Sequence, residues 1–168
     1  QVLQGHHEDV PAPELRIREA SVRVDYHGAP TRAASRYVPF VPYLGLIYRP
    51  DYAFVVAEPD GARYWFPAND HPRDKAHFRF ELIVPQGLTG VANGRLLEVQ
   101  PDVPHPLRDD GPGELYVWEH AYPLAPAFAT VAVGAYERLE GTSPGGIPLR
   151  HYVFPEDRAA FEPGAARV

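Results

Sequence analysis

The sequence predicts an all-β, mostly antiparallel domain of several sheets, saddle- or sandwich-like, with short strands and at most one or two short helices. Three observations predict it. Prolines number 20 in 168 residues, more than twice the ordinary share of about 5%, and proline at that density stops helices and sits at strand edges. Apolar residues alternate with polar ones along several stretches, the period of a half-buried strand. Turn residues then punctuate those stretches, at Gly28, at Asn93-Gly94 and through a proline- and glycine-rich segment at 101–113.

Taken in order, residues 1–13 are polar and proline-broken, and read as an extended or disordered tail. From 14 to 28, Leu15, Ile17, Val22, Val24 and Tyr26 alternate with charged neighbours, which predicts a strand or strand pair. Residues 37–57, rich in Tyr, Phe, Pro and Val, read as bent strands. The clearest strand is 77–85, where Phe78, Phe80, Leu82 and Val84 share one face. In 88–100, Asn93-Gly94 stands between two apolar runs, the strongest short-range signal for a hairpin. After a loop at 101–113 come strands at 114–120, 127–141 and 147–154. The alanines of 127–141 suggest a helix, but its β-branched residues and alternation favour a strand. Pro155 then opens a run of helix formers and predicts one short helix. The count is about eight to ten short strands, in keeping with ordinary strand lengths. The β domain thus spans 14–154, with 155–168 leading out of it.

Composition narrows the function. A chain of this length supports one domain, or one and a fraction, and 45% apolar with 23% charged residues suits a globular protein with a real core. A net charge of −6 argues against nucleic acid as a partner. No stretch reaches the run of about 18 apolar residues that spans a membrane. With no cysteine there is no disulfide, no thiolate nucleophile and no cysteine-bound metal. That leaves the compartment undecided, with a slight preference for the cytoplasm. With no methionine, Gln1 reads as a processed start, an expression boundary or a proteolytic cut.

No self-sufficient catalytic set is present. His6 and His7 are adjacent, and His71 and His77 are too far apart for the i, i+4 spacing that puts two imidazoles on one helical face. No His-Glu-x-x-His occurs, and Ser21, Ser35 and Ser143 lack the Gly-x-Ser-x-Gly elbow. Asp109-Asp110 reads as a solvated turn. This chain is therefore expected to bind no metal and to be inactive alone.

One stretch asks for another explanation. Residues 54–72, FVVAEPDGARYWFPANDHP, place Glu58-Pro59 at the end of an apolar strand, then Gly61 and Arg63, then Tyr64, Trp65 and Phe66. With the downstream strings VPQGL (84–88), ANG (92–94) and YVWEHAYPLAPAFATVAVGAYE (116–137), this segment resembles the N-terminal domain of zinc aminopeptidases of the aminopeptidase N and leukotriene hydrolase family, gluzincin metallopeptidases. The resemblance runs over roughly 22–154. It implies a piece of a larger hydrolase that lacks its first strands and whose zinc ligands lie in an absent catalytic domain, toward which 155–168 begin a linker or helix. Zinc is thus implied for that domain and not for this chain.

The resemblance carries one functional position over. At Glu58 the family has an acidic or amide residue that binds the free α-amino group of a peptide substrate, at a set distance from the zinc. An α-ammonium, with a pKa of about 8, calls for a fixed, ionised acceptor. The family has a cis peptide after this position, and before proline that form is only about 0.5–1 kcal/mol uphill, so Glu58–Pro59 is expected cis. Pro59, Gly61 and Arg63 are read as support for Glu58. From residue types alone, Glu58 reads first as an ion pair with Arg63. With the motif counted, the substrate anchor is the stronger reading. Asp70 is expected to cap the turn at His71-Pro72. Ala68 stands where the family often has cysteine, and the loop at 101–113 is longer than typical; both are departures from the pattern.

The expected function is a non-catalytic domain supplying one wall of an aminopeptidase cleft, with the peptide and its own catalytic domain as partners. Two other readings stay open: a stand-alone β-sandwich module for a carbohydrate or protein partner, and a scaffold domain of an inactive relative. A piece of this kind should expose apolar surface and open strand edges, and self-associate through them.

Overall fold

The computed structural model describes residues 21–28, 33–104 and 111–165. The expected tail at 1–13, the first half of the predicted strand at 14–28, His6, His7 and Asp109-Asp110 lie outside them. Among the described residues there are nine strands, every pair antiparallel. They are β1 (Gly45–Tyr48), β2 (Tyr52–Val56), β3 (Arg79–Pro85), β4 (Thr89–Ala92), β5 (Arg95–Pro104), β6 (Pro112–Glu119), β7 (Val131–Gly134), β8 (Glu137–Thr142) and β9 (Pro148–Val153), followed by the helix α1 (Arg158–Ala165). They form a four-stranded sheet in the order β1-β2-β7-β4, a three-stranded sheet β3-β6-β5 and a hairpin β8-β9. The all-β, multi-sheet architecture expected from the sequence is the one observed.

The core joins the first two sheets. Val55 from β2, Ala92 from β4 and Val131 from β7 meet Phe80 and Val84 from β3 and Tyr116 and Trp118 from β6. The register explains the selection: Phe80 pairs with Trp118 and Leu82 with Tyr116, so the alternate residues of two adjacent strands stand on one face. Each such side chain contributes about 1.5–3 kcal/mol when fully buried. Polar atoms among them find partners across the layers. The Trp118 indole donates to the Gly90 carbonyl at 3.0 Å, and the Tyr116 hydroxyl bonds the Glu114 carboxylate at 2.9 Å.

Four sequence expectations are corrected. First, Asn93-Gly94 is not a hairpin turn. β4 pairs with β7 and β5 with β6, so these two residues turn a corner from one sheet to the other. Asn93 Oδ1 accepts the Thr130 N–H at 2.6 Å. Gly94, at φ +99°, lies so close to β6 that a Cβ would sit 2.1 Å from the Glu119 carbonyl oxygen. A local turn signal says that the chain bends, and the long central strand β6 decides where β5 goes.

Second, the expected loop at 101–113 is strand at both of its described ends, 101–104 and 112–113, while 105–110 lie outside the described residues. β5 runs on to Pro104, with Val103 opposite Gly113, because it is an edge strand that tolerates proline and because its register slips between Gln100 and Val103. Asp102 takes φ +57° in that irregularity. Third, 127–141 is two strands. A Cβ at Gly134 would lie 2.8 Å from the Tyr136 ring, so Tyr136 folds back over the glycine and the chain leaves the four-stranded sheet for the hairpin. Fourth, 21–28 is not a strand. Val22 and Val24 are 82% and 55% exposed. Alternation marks the face a strand would bury, but no described strand pairs with this segment.

Two outcomes follow for stability. Gly94→Ala should lower the unfolding free energy by about 2–3 kcal/mol, since it places a side chain in a strained backbone region against a carbonyl; urea denaturation measures it. Burial, reinforced by the Glu114 carboxylate, pushes the Tyr116 hydroxyl up to about 12 from an ordinary 10.0. The raised folded-state value contributes stability that is complete below the unfolded value and is lost as pH rises through the folded one. Unfolding free energy should therefore fall more steeply between pH 10 and 12 in the parent chain than in Tyr116→Phe.

Candidate functional site

β2 ends at Val56, and the chain reverses immediately. The Gly61 N–H donates to the Ala57 carbonyl at 2.6 Å, closing a turn whose outer corner is Glu58-Pro59. The Glu58–Pro59 peptide is cis, as the resemblance implies. Gly61 is required by space: a Cβ there would lie 2.7 Å from the Val56 carbonyl oxygen. Ala62, fully buried, opens a single 3-10 turn over Ala62–Tyr64. Its carbonyl accepts both the Trp65 and Phe66 N–H groups, at 3.1 Å each. The aromatic run then feeds the core. Trp65 meets Phe66 edge-on at 4.6 Å between centroids, Phe66 meets Phe78 at 5.9 Å, and Phe78 stacks on Phe80 at 5.6 Å.

Two buried carboxylates fix this loop from opposite ends. Arg63 donates from Nε to Asp70 Oδ2 at 3.0 Å, and its backbone N–H reaches the same oxygen at 3.3 Å. The hydrogen bond to Asp70 raises the Arg63 guanidinium above its ordinary value. The Asp70 side chain is wholly buried, with the backbone at φ +52°. This corrects the expected role of Asp70: it receives Arg63 and does not cap the turn at His71-Pro72, where His71 Nδ1 accepts the Arg73 N–H at 3.2 Å. It also disposes of the Glu58–Arg63 ion pair, because the arginine fork is already engaged.

The second carboxylate is Asp60, 2% exposed. Its Oδ1 accepts the Ser35 hydroxyl at 2.8 Å and its Oδ2 the Arg36 N–H at 3.1 Å. Sequence reasoning missed it, because Pro-Asp-Gly reads as a surface turn in which the aspartate faces water. A further tie comes from Tyr26, whose hydroxyl donates to the Trp65 carbonyl at 3.1 Å.

Glu58 itself is exposed. Among the described residues it has no hydrogen bond and no ion pair. The structure thus brings Glu58, Pro59 and Gly61 into one turn and places Arg63 just beyond it, turned to Asp70. Clefts of about 640 Å³ beside Arg95, Glu140 and Arg150, and about 470 Å³ beside Arg138, His151 and Phe161, lie along the β8–β9 hairpin, and Glu58 lines neither. Glu58 projects from a surface and is not enclosed by this domain. Among the described residues no group of three or more His, Asp or Glu is placed to hold a metal ion.

Residues 49–105 match the Peptidase M1 N-terminal domain family. That segment carries Glu58 and the whole pinned loop. No curated protein matches the chain. Solved structures with the same fold include a two-domain M1 zinc metallopeptidase variant bound to L-tryptophan, at 20% identity and TM-score 0.57, over 79% of this chain and 32% of that one. A variant of the M1 zinc metallopeptidase from Deinococcus radiodurans bound to a Tyr-Ser-Ala substrate aligns at 20% identity and TM-score 0.57, over 79% and 31%. Legionella pneumophila aminopeptidase A in complex with aspartic acid aligns at 24% identity and TM-score 0.56, over 69% and 14%. At these identities the likeness is one of fold. The chain spans about a third or less of the length of these peptidases.

The pinned loop makes a structural prediction. Replacing Asp60 by Ala should destabilise the chain by about 1–3 kcal/mol, since the Ser35 hydroxyl and the Arg36 N–H each lose a buried acceptor. Chemical denaturation checks the size.

Proposed function

We propose that this domain is the non-catalytic amino-terminal part of a zinc-dependent aminopeptidase, and that Glu58 receives the free α-amino group of the peptide substrate. The observation that carries the reading is the state of Glu58: an exposed carboxylate, without a partner among the described residues, on a turn fixed from both sides, inside the segment that matches the family. A cation engaged elsewhere leaves that charge uncompensated, and Arg63 is engaged by Asp70. Molecules with a free α-amino group, Tyr-Ser-Ala and aspartic acid, are bound in two of the similar peptidases.

The chemistry assigned to this chain is binding and orientation. A substrate α-ammonium has three N–H donors, and a fixed carboxylate accepts from them in a charge-assisted geometry, stronger than a neutral bond. In a cleft closed on its other side by a second domain, the pair is shielded from water and exceeds the roughly 0–1 kcal/mol of an exposed ion pair. The described residues offer no ligand set for zinc, so the metal of such an enzyme would belong to the catalytic domain, as would the hydrolytic step. The chain exposes apolar side chains, Val22, Tyr37, Phe40 and Tyr48 among them, which leaves apolar area for a second domain to cover.

The test is kinetic, in the enzyme expressed from the complete reading frame. Glu58→Ala should raise KM for an aminoacyl anilide with a free amine by roughly 10- to 100-fold, with a smaller change in kcat. An unchanged KM removes Glu58 from substrate binding. KM should also rise above about pH 8, where the substrate amine loses its proton, and that rise should be absent from Glu58→Ala. Metal analysis should find zinc in the whole enzyme; a stoichiometric zinc site in this 168-residue chain would contradict the reading.

A further inference from the structure

Asp60 is one of the two buried acidic residues of the site, and anchoring an amine does not call for it. It is 2% exposed and lies two residues from Glu58. Both of its oxygens face inward, to donors on one remote segment: the Ser35 hydroxyl at 2.8 Å and the Arg36 N–H at 3.1 Å. That segment is itself folded around the same serine. Ser35 Oγ accepts the Tyr37 N–H at 3.1 Å and the Val38 N–H at 3.0 Å. The segment is tied back to the four-stranded sheet next to it by the Ala33–Leu44 bridge, where the Leu44 N–H donates to the Ala33 carbonyl at 2.7 Å, and Leu44 is fully buried. The contact therefore joins the turn to a braced element, not to a free loop.

The opposite side of the turn is held through Gly61 and Ala57, and the far end of the loop through Arg63 and Asp70. Glu58 and Pro59 would otherwise form an outer corner with one backbone bond across it. A carboxylate that must meet an ammonium needs its Cα held to a few tenths of an ångström, because a displacement of about 1 Å in a reacting or binding group can lower rates by about two orders of magnitude.

We infer that Asp60 is a positioning residue for Glu58: its paired hydrogen bonds to Ser35 and Arg36 lock the 58–61 turn onto the 33–38 segment and so fix where the anchoring carboxylate stands. The inference rests on the amine-anchor reading of Glu58 and adds the element that makes that anchor rigid. Ser35 is the matching half of the lock, one hydroxyl donating to the carboxylate while accepting two backbone N–H groups. Asp60→Asn keeps the shape but sets an amide N–H₂ or a weaker acceptor against one of the two donors.

The experiment combines two readouts. In this chain, amide hydrogen exchange of Arg36 and Gly61 reports the lock directly, and Asp60→Asn and Ser35→Ala should each speed it by roughly tenfold or more, with Ser35→Thr restoring it. In the whole enzyme, Asp60→Asn should raise KM for a free-amine aminoacyl anilide by roughly tenfold while kcat changes less than about threefold. In a Glu58→Ala background the same substitution should leave KM unchanged, which a purely structural role would not produce. If Glu58→Ala raises KM but Asp60→Asn alters neither exchange nor KM, or alters KM equally with and without Glu58, the inference is overturned and the anchor stands. If Glu58→Ala leaves KM unchanged, the anchor reading falls and the inference falls with it.

Discussion

The structure around the site depends on the burial of two carboxylates that face inward from a loop made mostly of apolar residues. Taking a carboxylate out of water is unfavourable unless donors replace its hydration. Asp70 Oδ2 finds the Arg63 Nε and backbone N–H while its Oδ1 stays buried without a partner among the described residues, and Asp60 finds the Ser35 hydroxyl and the Arg36 N–H. Each requirement fixes the relative position of two chain segments, because the donors cannot leave without exposing an unpaired buried charge. The loop from Ala57 to Asp70 is consequently rigid for a polar reason as well as an apolar one. Its aromatics enter the core in series, and its acids hold the backbone that carries them.

This arrangement explains how a domain of short strands can hold one acidic side chain steadily at its surface. Glu58 follows directly on a strand in the middle of a hydrogen-bonded sheet, with β1 on one side of β2 and β7 on the other. The turn is too tight for a side chain at Gly61. Rigidity close to the core and exposure at the tip are the two properties that a binding carboxylate needs, and they are supplied by different residues. Glu58 remains in water because Asp60, Gly61 and Ala62 occupy the buried positions of the same turn.

The clefts along the β8–β9 hairpin mark a contrast. They are lined by several arginines around a single glutamate, and Arg138 donates to Glu140, a hydrogen bond that holds the Glu140 carboxyl below its ordinary value. Neither cleft includes Glu58, whose carboxylate stands on an open surface.

The amino-acid order decided the strand-forming segments whose period could be read directly. Phe80, Leu82 and Val84 share a face because side chains alternate along an extended chain, and that holds before any partner is known. The cis Glu58–Pro59 peptide was expected from the resemblance, and the need for glycine at 61 became visible only in the folded turn, where a Cβ would meet the Val56 carbonyl oxygen. Partnership was not. Asn93-Gly94 announces a bend, but whether β4 and β5 then pair depends on β6 and β7, which lie further along the chain. Val22 and Val24 alternate like a buried strand yet stay exposed, since burial needs an opposite surface that alternation cannot supply. Arg63 choosing Asp70 over Glu58, and Asp60 turning inward to Ser35, rest on distances between segments that only packing sets. Local covalent geometry writes the elements; long-range contact, closed against the entropy of the chain between, chooses among the partners available to them.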